Sequence, residues 1–596
     1  MAVRVADYIV QKLQDEGVRH VFLVTGRGLL FLSDAVARQE EIEGISTYHE
    51  QGASYAAMAY AQTGEGFGAC FVSTGCAAAN AVTAALCAWQ DNVPVIFISG
   101  QHMLKETTHY SGMDIRTYGS QEADIVRMVR SITKYAVMLT CAENVAFELE
   151  KAMSIARAGR PGPVWLDVPL DIQNIHVDPT QLRHYTPGGE VVKPTIDPAS
   201  VEYVLSALAS AERPILLLGG GIRTAKAEKL AALLVERCGL PVVYTPAGAD
   251  AYGSAHDLSL GAVGTLGGSR AGNFAMQNAD CILSVGTKLC SLITGTDYEQ
   301  FARAAKLIVV DIDEKEHRKE EVPHERFIHA DACDFFHILL EQDVPQTSPA
   351  WKDKCRHWKH IFQVMKEPFV QKIVEKDQID LYAFAHMLGQ CLPPNAAVIT
   401  DAGLEELIIP SAIPYRDGQR CLFPAAQGAM GYAVPAILGA HFAGRENIVA
   451  VIGDGSIMMN IQELYAVVSH KIPAKIFVIN NNMYAVIRKR QKDLFRHRTI
   501  GNDPSDGLAA PDFSKIADAV GLRYRHIDSF AELNSGIEEV INDETAVLCE
   551  VMCVHEQPYL HRSYARNEQK RLEYRPLEDL SPFMDRSILE REMIVS

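Results

Sequence analysis

No apolar run in this 596-residue chain reaches membrane-spanning length, which takes about 20 consecutive apolar residues. No spanning helix is expected. The chain also has no Cys-x-x-Cys pair, and its thirteen cysteines are scattered and odd in number. That pattern argues against a disulfide or zinc framework and for reduced, buried thiols. The opening residues, Met1 to Asp7, lack the architecture of a secretory signal. Positive charge is short as well, with 56 Lys and Arg against 74 Asp and Glu and a formal net charge of −18. An acidic chain of this kind excludes an extended nucleic-acid surface. The expectation is a cytoplasmic protein without nucleic-acid or membrane partners.

What is present is enough apolar residue, 48%, to fold throughout, in a chain too long for one core. Two stretches rich in turn formers divide it: Tyr185 to Gly189 continuing through Lys193 to Pro198, and Asp343 to Pro349. Short apolar strands read at 20–24, 69–72, 93–98 and 163–168 in the first segment, with helical patterns at 52–61 and 144–158. The middle segment has strands at 215–218, 281–285 and 307–312. The last has 397–400, 447–452, 474–479 and 547–551. Alternating strand and helix predicts α/β architecture, a parallel sheet flanked by helices in each of three domains. No residue-level repeat is visible, although the first and last segments share the same rhythm.

The chemistry concentrates in the last segment. A strand at 447–452 runs into Gly453-Asp454-Gly455, and a second at 474–479 runs into Asn480-Asn481, with a helix expected over 461–470. This unit delivers a carboxylate and a carboxamide to one edge of a parallel sheet, where open α/β sheets bind ligands. Hard oxygen donors suit Mg²⁺, which usually completes its shell with phosphate and water. Gly453 and Gly455 allow close backbone approach to a phosphate. The tripeptide alone also describes an ordinary strand-to-helix turn.

With Asn481, the second of the Asn pair, 27 positions beyond Asp454, the segment resembles the diphosphate-binding motif of thiamin-diphosphate (ThDP) enzymes. The resemblance implies that Asp454 and Asn481 hold Mg²⁺ through side chains and Met483 through its carbonyl. It also implies a pyrimidine-binding domain over 1–182, a central domain over 190–342, a diphosphate-binding domain over 378–560 and a tail over 561–596. His49-Glu50-Gln51-Gly52-Ala53 is similar to the family's His-Glu-x-x-Ala segment. Glu50 is then the acid that activates the cofactor, supplied from a neighbouring subunit, so a homodimer or homotetramer is expected. Thr74 to Asn80 resembles a further turn of these enzymes, and Gln121 the Gln of a Gln-Glu segment near the thiazolium. Gln427 to Tyr432 looks like the Gly-x-Met-Gly element, in which Met430 would wedge between the cofactor rings. Asn80, Gly403, Gly428, Gly453, Gly455 and Ser456 join the expected cofactor contacts.

The run Asp454 to Leu464 is closest to the acetolactate synthase branch. Leu218 to Gly221 and Val310 to Asp313 are similar to its central domain, which binds FAD, and Gly286-Thr287-Lys288 stands where the branch commonly has Gly-x-Arg. Such a domain keeps its fold without FAD, so FAD stays open. Three departures bear on substrate. Thr25-Gly26-Arg27-Gly28 replaces Pro-Gly-Gly-Ala, Gly403-Leu404-Glu405-Glu406 replaces Gly-Gln-His-Gln, and Ser120 replaces Phe. Arg27 is a candidate for holding an acceptor's carboxylate or phosphate, or a solvated turn residue. Glu405 is a candidate acceptor of sugar hydroxyls. The tail, with Arg562, Arg566, Lys570, Arg571 and Arg575 before Pro576-Leu577-Glu578-Asp579, is similar to relatives associated with surface sugars. It reads equally as a basic lid over a diphosphate and as a docking extension. The implied reaction is ThDP- and Mg²⁺-dependent decarboxylation of a 2-oxo acid, pyruvate first, with acetyl transfer to a carbonyl acceptor such as a nucleotide-linked keto sugar. Gln121 and Arg27 would orient the reactants. The alternatives are acetolactate synthesis, simple decarboxylation, a flavin oxidoreductase and a catalytically silent paralogue.

Overall fold

The computed structural model describes residues 2–64, 66–188, 193–319, 322–566 and 572–595. Three six-stranded sheets organise it. The first contains β1 (His20–Leu23), β2 (Glu43–Ser46), β3 (Gly68–Val72), β4 (Val95–Gln101), β5 (Tyr135–Met138) and β6 (Val164–Pro169). The second contains β7 (Pro214–Leu218), β8 (Val242–Tyr244), β9 (Ser259–Ala262), β10 (Cys281–Val285), β11 (Lys306–Asp311) and β12 (Arg326–His329). The third contains β13 (Ala397–Thr400), β14 (Arg420–Leu422), β15 (Ile448–Gly453), β16 (Lys475–Asn480), β17 (Arg523–Ile527) and β18 (Val547–Met552). All pairings within these sheets are parallel. Helices cover both faces, so strands such as Pro214–Leu218 are buried along their whole length and read as continuous apolar runs.

The outer sheets share one strand order, β2-β1-β3-β4-β6-β5 and β14-β13-β15-β16-β18-β17. That is the structural content of their common rhythm. The central order, β9-β8-β7-β10-β11-β12, is the doubly wound arrangement that binds dinucleotides where the order reverses.

Four helices position the site: α1 (Glu50–Thr63), α2 (Leu404–Ala412), α3 (Ala433–Phe442) and α4 (Glu463–Ser469). α1 and α3 belong to different domains yet share one apolar cluster, with Tyr55 edge-on to Tyr432 at 5.4 Å. Their backbones meet at Gly439, where a Cβ would stand 2.1 Å from the Ala56 carbonyl oxygen. The helix expected over 461–470 begins only at Glu463. Ahead of it, residues Ile457–Met459 form a separate 3₁₀ turn.

The end of the chain docks on the central domain. Leu577 and Leu580 are fully buried. Glu578 accepts from Arg303 at 2.7 Å and Gln277 at 3.1 Å. Glu592 pairs with Lys354 at 2.8 Å. The buried Arg270 pairs with Glu367 at 2.6 Å and donates to the Leu580 carbonyl at 3.0 Å. Arg562 donates to the Arg575 carbonyl at 2.6 Å and lies over the Tyr574 ring. Arg575 itself pairs with Asp579 at 3.6 Å. Of the tail cations, Arg562 and Arg575 are therefore engaged within the chain. Lys570 and Arg571 lie outside the described residues, and so does the Arg566 side chain.

Candidate active site

Loops at the carboxyl edges of the outer sheets carry the predicted residues. In the first sheet Arg27 opens a short turn after β1, exposed and without an ion pair among the described residues. Gln121 is exposed and has a positive φ of 68°, a conformation that costs an L-residue about 1–2 kcal/mol. Its carbonyl oxygen lies 2.1 Å from where a Cβ on Gly75 would stand. The Thr74–Asn80 turn and the Gln121 loop thus meet backbone to backbone. Glu50 is the first residue of α1, and His49 caps that helix by accepting from the Gln51 amide at 3.1 Å. A carboxylate there is favoured by the helix dipole. It has a specific partner as well: the Asn80 amide donates to Glu50 Oε2 at 2.9 Å. Asn80 therefore orients Glu50.

In the third sheet Gly403 follows β13 and Gly453 ends β15, at the point where the strand order reverses. Asp454 is buried, and its Oδ2 accepts from the Asn482 amide at 2.6 Å. No Lys or Arg pairs with it among the described residues, and burial pushes it up to about 6. Asn481, one strand over, accepts from the Met483 amide at 3.2 Å through Oδ1. The Tyr484 ring fills the space a Cβ on Gly455 would take. Gly428 and Gly431 flank Met430, which is half-buried rather than a core residue. The Gly431 amide donates to Ser456 Oγ at 3.0 Å, and Ser456 donates to Asp401 Oδ1 at 2.7 Å. The Met430 loop and the Gly-Asp-Gly loop are thereby tied to one buried acid.

Glu405 stands beside the same glycine turns. It is 4% exposed, with its carboxyl group against Gly403 and Gly453. It packs beneath the Gly-Asp-Gly turn.

These two loop sets correspond to known domains. Residues 3–128 match the thiamine pyrophosphate enzyme N-terminal TPP binding domain, 201–339 its central domain and 401–551 its C-terminal TPP binding domain. The chain belongs to the thiamine pyrophosphate enzymes. It is 30% identical over 568 residues to acetolactate synthase 2, chloroplastic, of Zea mays, covering 93% of this chain and 86% of that protein. It is 30% identical to the acetolactate synthase isozyme 1 large subunit of Escherichia coli (strain K12), covering 90% and 92%. The acetolactate synthase large subunit of Haemophilus influenzae is 30% identical, covering 94% and 97%. The protein is an acetolactate synthase-like, ThDP-dependent decarboxylase/carboligase. Among the described residues no helix is long and apolar enough to cross a membrane.

Sequence reading missed Asp401, Asn460 and Glu463, which act through contacts between segments distant in the chain. Asp401 and Asp167 are among several buried acids that bear on stability. Burial pushes Asp401 and Asp167 up to about 7 from 3.8. A raised carboxyl value means the folded state holds its proton more tightly than the unfolded state, so stability falls as pH rises between those values. The ligand-free protein is expected to have its highest thermal midpoint at mildly acid pH and to lose stability up to about pH 7. A midpoint that rises over that range in scanning calorimetry would refute this.

Proposed function

We propose that this enzyme uses Mg²⁺-bound ThDP to decarboxylate pyruvate and to pass the acetyl unit to a carbonyl acceptor, a nucleotide-linked keto sugar in the first instance. The observation that carries the cofactor half is Asp454, a buried carboxylate without a cationic partner, beside the carboxamide of Asn481. That donor set fits Mg²⁺. Asp454, Asn481 and the Met483 carbonyl would hold the metal, and Gly453, Gly455, Ser456, Gly403 and Gly428 would line the diphosphate. When bound, ThDP supplies the electron sink for loss of carbon dioxide. Glu50, oriented by Asn80, would hold and move a proton at its carboxyl group. Met430 would shape the bound cofactor, and Gln121 would orient the 2-oxo acid.

Arg27 supports an anionic acceptor: its guanidinium stands beside the first sheet's switch point with no ion pair among the described residues, suited to carboxylate or phosphate. Tyr48, Met459 and Tyr465 expose 53%, 53% and 48% of their surface around Glu50. That supports a second subunit covering the site, in a homodimer or homotetramer, and the reading places the enzyme in the cytoplasm. FAD fits the central domain. A cavity of about 1450 Å³ opens at its switch point, lined by Gly220, Gly221, Gly286, Lys288 and Asp311. That exceeds the roughly 300–1,000 Å³ of ordinary ligand pockets, and Lys288 makes no ion pair among the described residues.

The test is carbon dioxide release from pyruvate with ThDP and Mg²⁺, with and without keto-sugar nucleotides. Release that rises with a sugar acceptor supports the reading. Acetolactate as sole product would favour the second reading, to which the relatives' names point.

A further inference from the structure

We propose that Glu463 is a positioning residue for Glu50, completing from the diphosphate-binding domain the N-terminal cap of the helix that carries it. The inference rests on reading Glu50 as the acid that activates the cofactor.

A helix begins well when two amides are satisfied reciprocally. The cap side chain accepts from an amide in the first turn, and a Glu or Gln three residues on accepts from the cap's own amide. α1 has the first half, because His49 Nδ1 accepts from the Gln51 amide at 3.1 Å. The residue three beyond His49 is Gly52, which has no side chain to supply the second half. Glu463 supplies it from 414 positions away. Its Oε1 accepts from the His49 amide at 3.0 Å and from the Tyr48 amide at 3.1 Å. A Cβ on Gly52 would stand 2.5 Å from that same oxygen. Gly52 therefore leaves the space into which the distant carboxylate fits.

The carboxylate is fully buried and pairs with no Lys or Arg among the described residues, so it is directed at these two amides and the neighbouring Gln462 side chain. Hydrogen bonds to a carboxylate are the stronger kind. They fix the peptide that immediately precedes Glu50. Asn460 extends the device. Its amide donates to Gln51 Oε1 at 2.9 Å and to the Gly431 carbonyl at 2.8 Å. The start of α1 is thereby joined to the loop of Met430.

The test compares Glu463→Gln with wild type by two readouts. The first is hydrogen exchange of the Tyr48–Gln51 amides in the ligand-free protein. The second is proton exchange at C2 of bound ThDP, measured beside ThDP affinity and thermal midpoint. E463Q should lower protection of those amides about tenfold, as loss of one charge-assisted bond implies. C2 exchange should slow about tenfold, with ThDP affinity changed less than about threefold, because the carboxylate acts on Glu50 rather than on the diphosphate. Loss of amide protection with an unchanged C2 rate would make Glu463 structural only and overturn the proposal; so would unchanged protection. Glu50→Gln separates the two readings. If E50Q leaves C2 exchange intact, the reading of Glu50 fails. If E50Q abolishes exchange and E463Q does not slow it, only the role of Glu463 fails. Should E463Q not fold, Gly52→Ala displaces the same carboxylate sterically. A folded G52A with wild-type C2 exchange overturns the proposal equally.

Discussion

Glu50→Gln is expected to lower the rate of carbon dioxide release about 10²–10⁴-fold, the range for loss of a positioned acid–base group. A thousandfold loss corresponds to about 4 kcal/mol of barrier. The substitution keeps the shape of the side chain and leaves an oxygen able to accept from Asn80, which now donates at 2.9 Å. It removes only the capacity to exchange a proton. ThDP affinity should therefore change little, because the diphosphate end is held by the third sheet. Single-turnover rates and ThDP titration on the same preparation check both halves. A variant within tenfold of wild type would remove Glu50 from the mechanism. The silent-paralogue reading makes the opposite forecast, with no turnover in wild type for the substitution to lower.

Asp454→Asn is expected to act in opposite directions on binding and on stability. Mg²⁺-dependent ThDP binding should weaken at least about 100-fold, since loss of even a supporting residue at a metal site costs 10–100-fold. The ligand-free protein should become more stable above about pH 6. Burial holds Asp454 near 6 against an ordinary value of 3.8. Its folded value is raised, so at higher pH the ionised, buried group costs stability that a neutral amide does not. Asparagine retains an oxygen for the Asn482 amide, which now bonds at 2.6 Å. Equilibrium dialysis of ThDP and a thermal melt at pH 8 measure the pair. Unaltered ThDP affinity would remove Asp454 from the metal site. Weakened binding with a lowered melt would mean that Asp454 is part of the fold's support, not a group kept against stability for function.

Much of the architecture was legible because it is local. Strand periodicity, glycine turns and alternation with helices act over a few residues. They placed β15 and β16, with the Asp454 and Asn481 loops at their ends. They also marked Glu50 at a helix start, although not that Asn80 would meet its carboxylate. The burial of Glu405 was not legible. The packing of α2 against the Gly-Asp-Gly turn, which the local pattern does not encode, buries it. The tail cations looked alike in sequence, yet Arg562 and Arg575 are engaged within their own chain.

The sequence by itself determined three parallel-sheet domains, the family to which they belong, and the loops that carry Glu50, Met430, Asp454 and Asn481. Only the tertiary structure decided which groups hold those loops in place. Glu463 reaches His49 across 414 positions and Tyr48 across 415, Asn460 joins Gln51 to Gly431, and the stretch from Leu577 to Val595 settles on the central domain. The physical reason is range. Propensity and pattern act within a turn or a strand, whereas a buried carboxylate finds its amide partners only once two domains have closed around it.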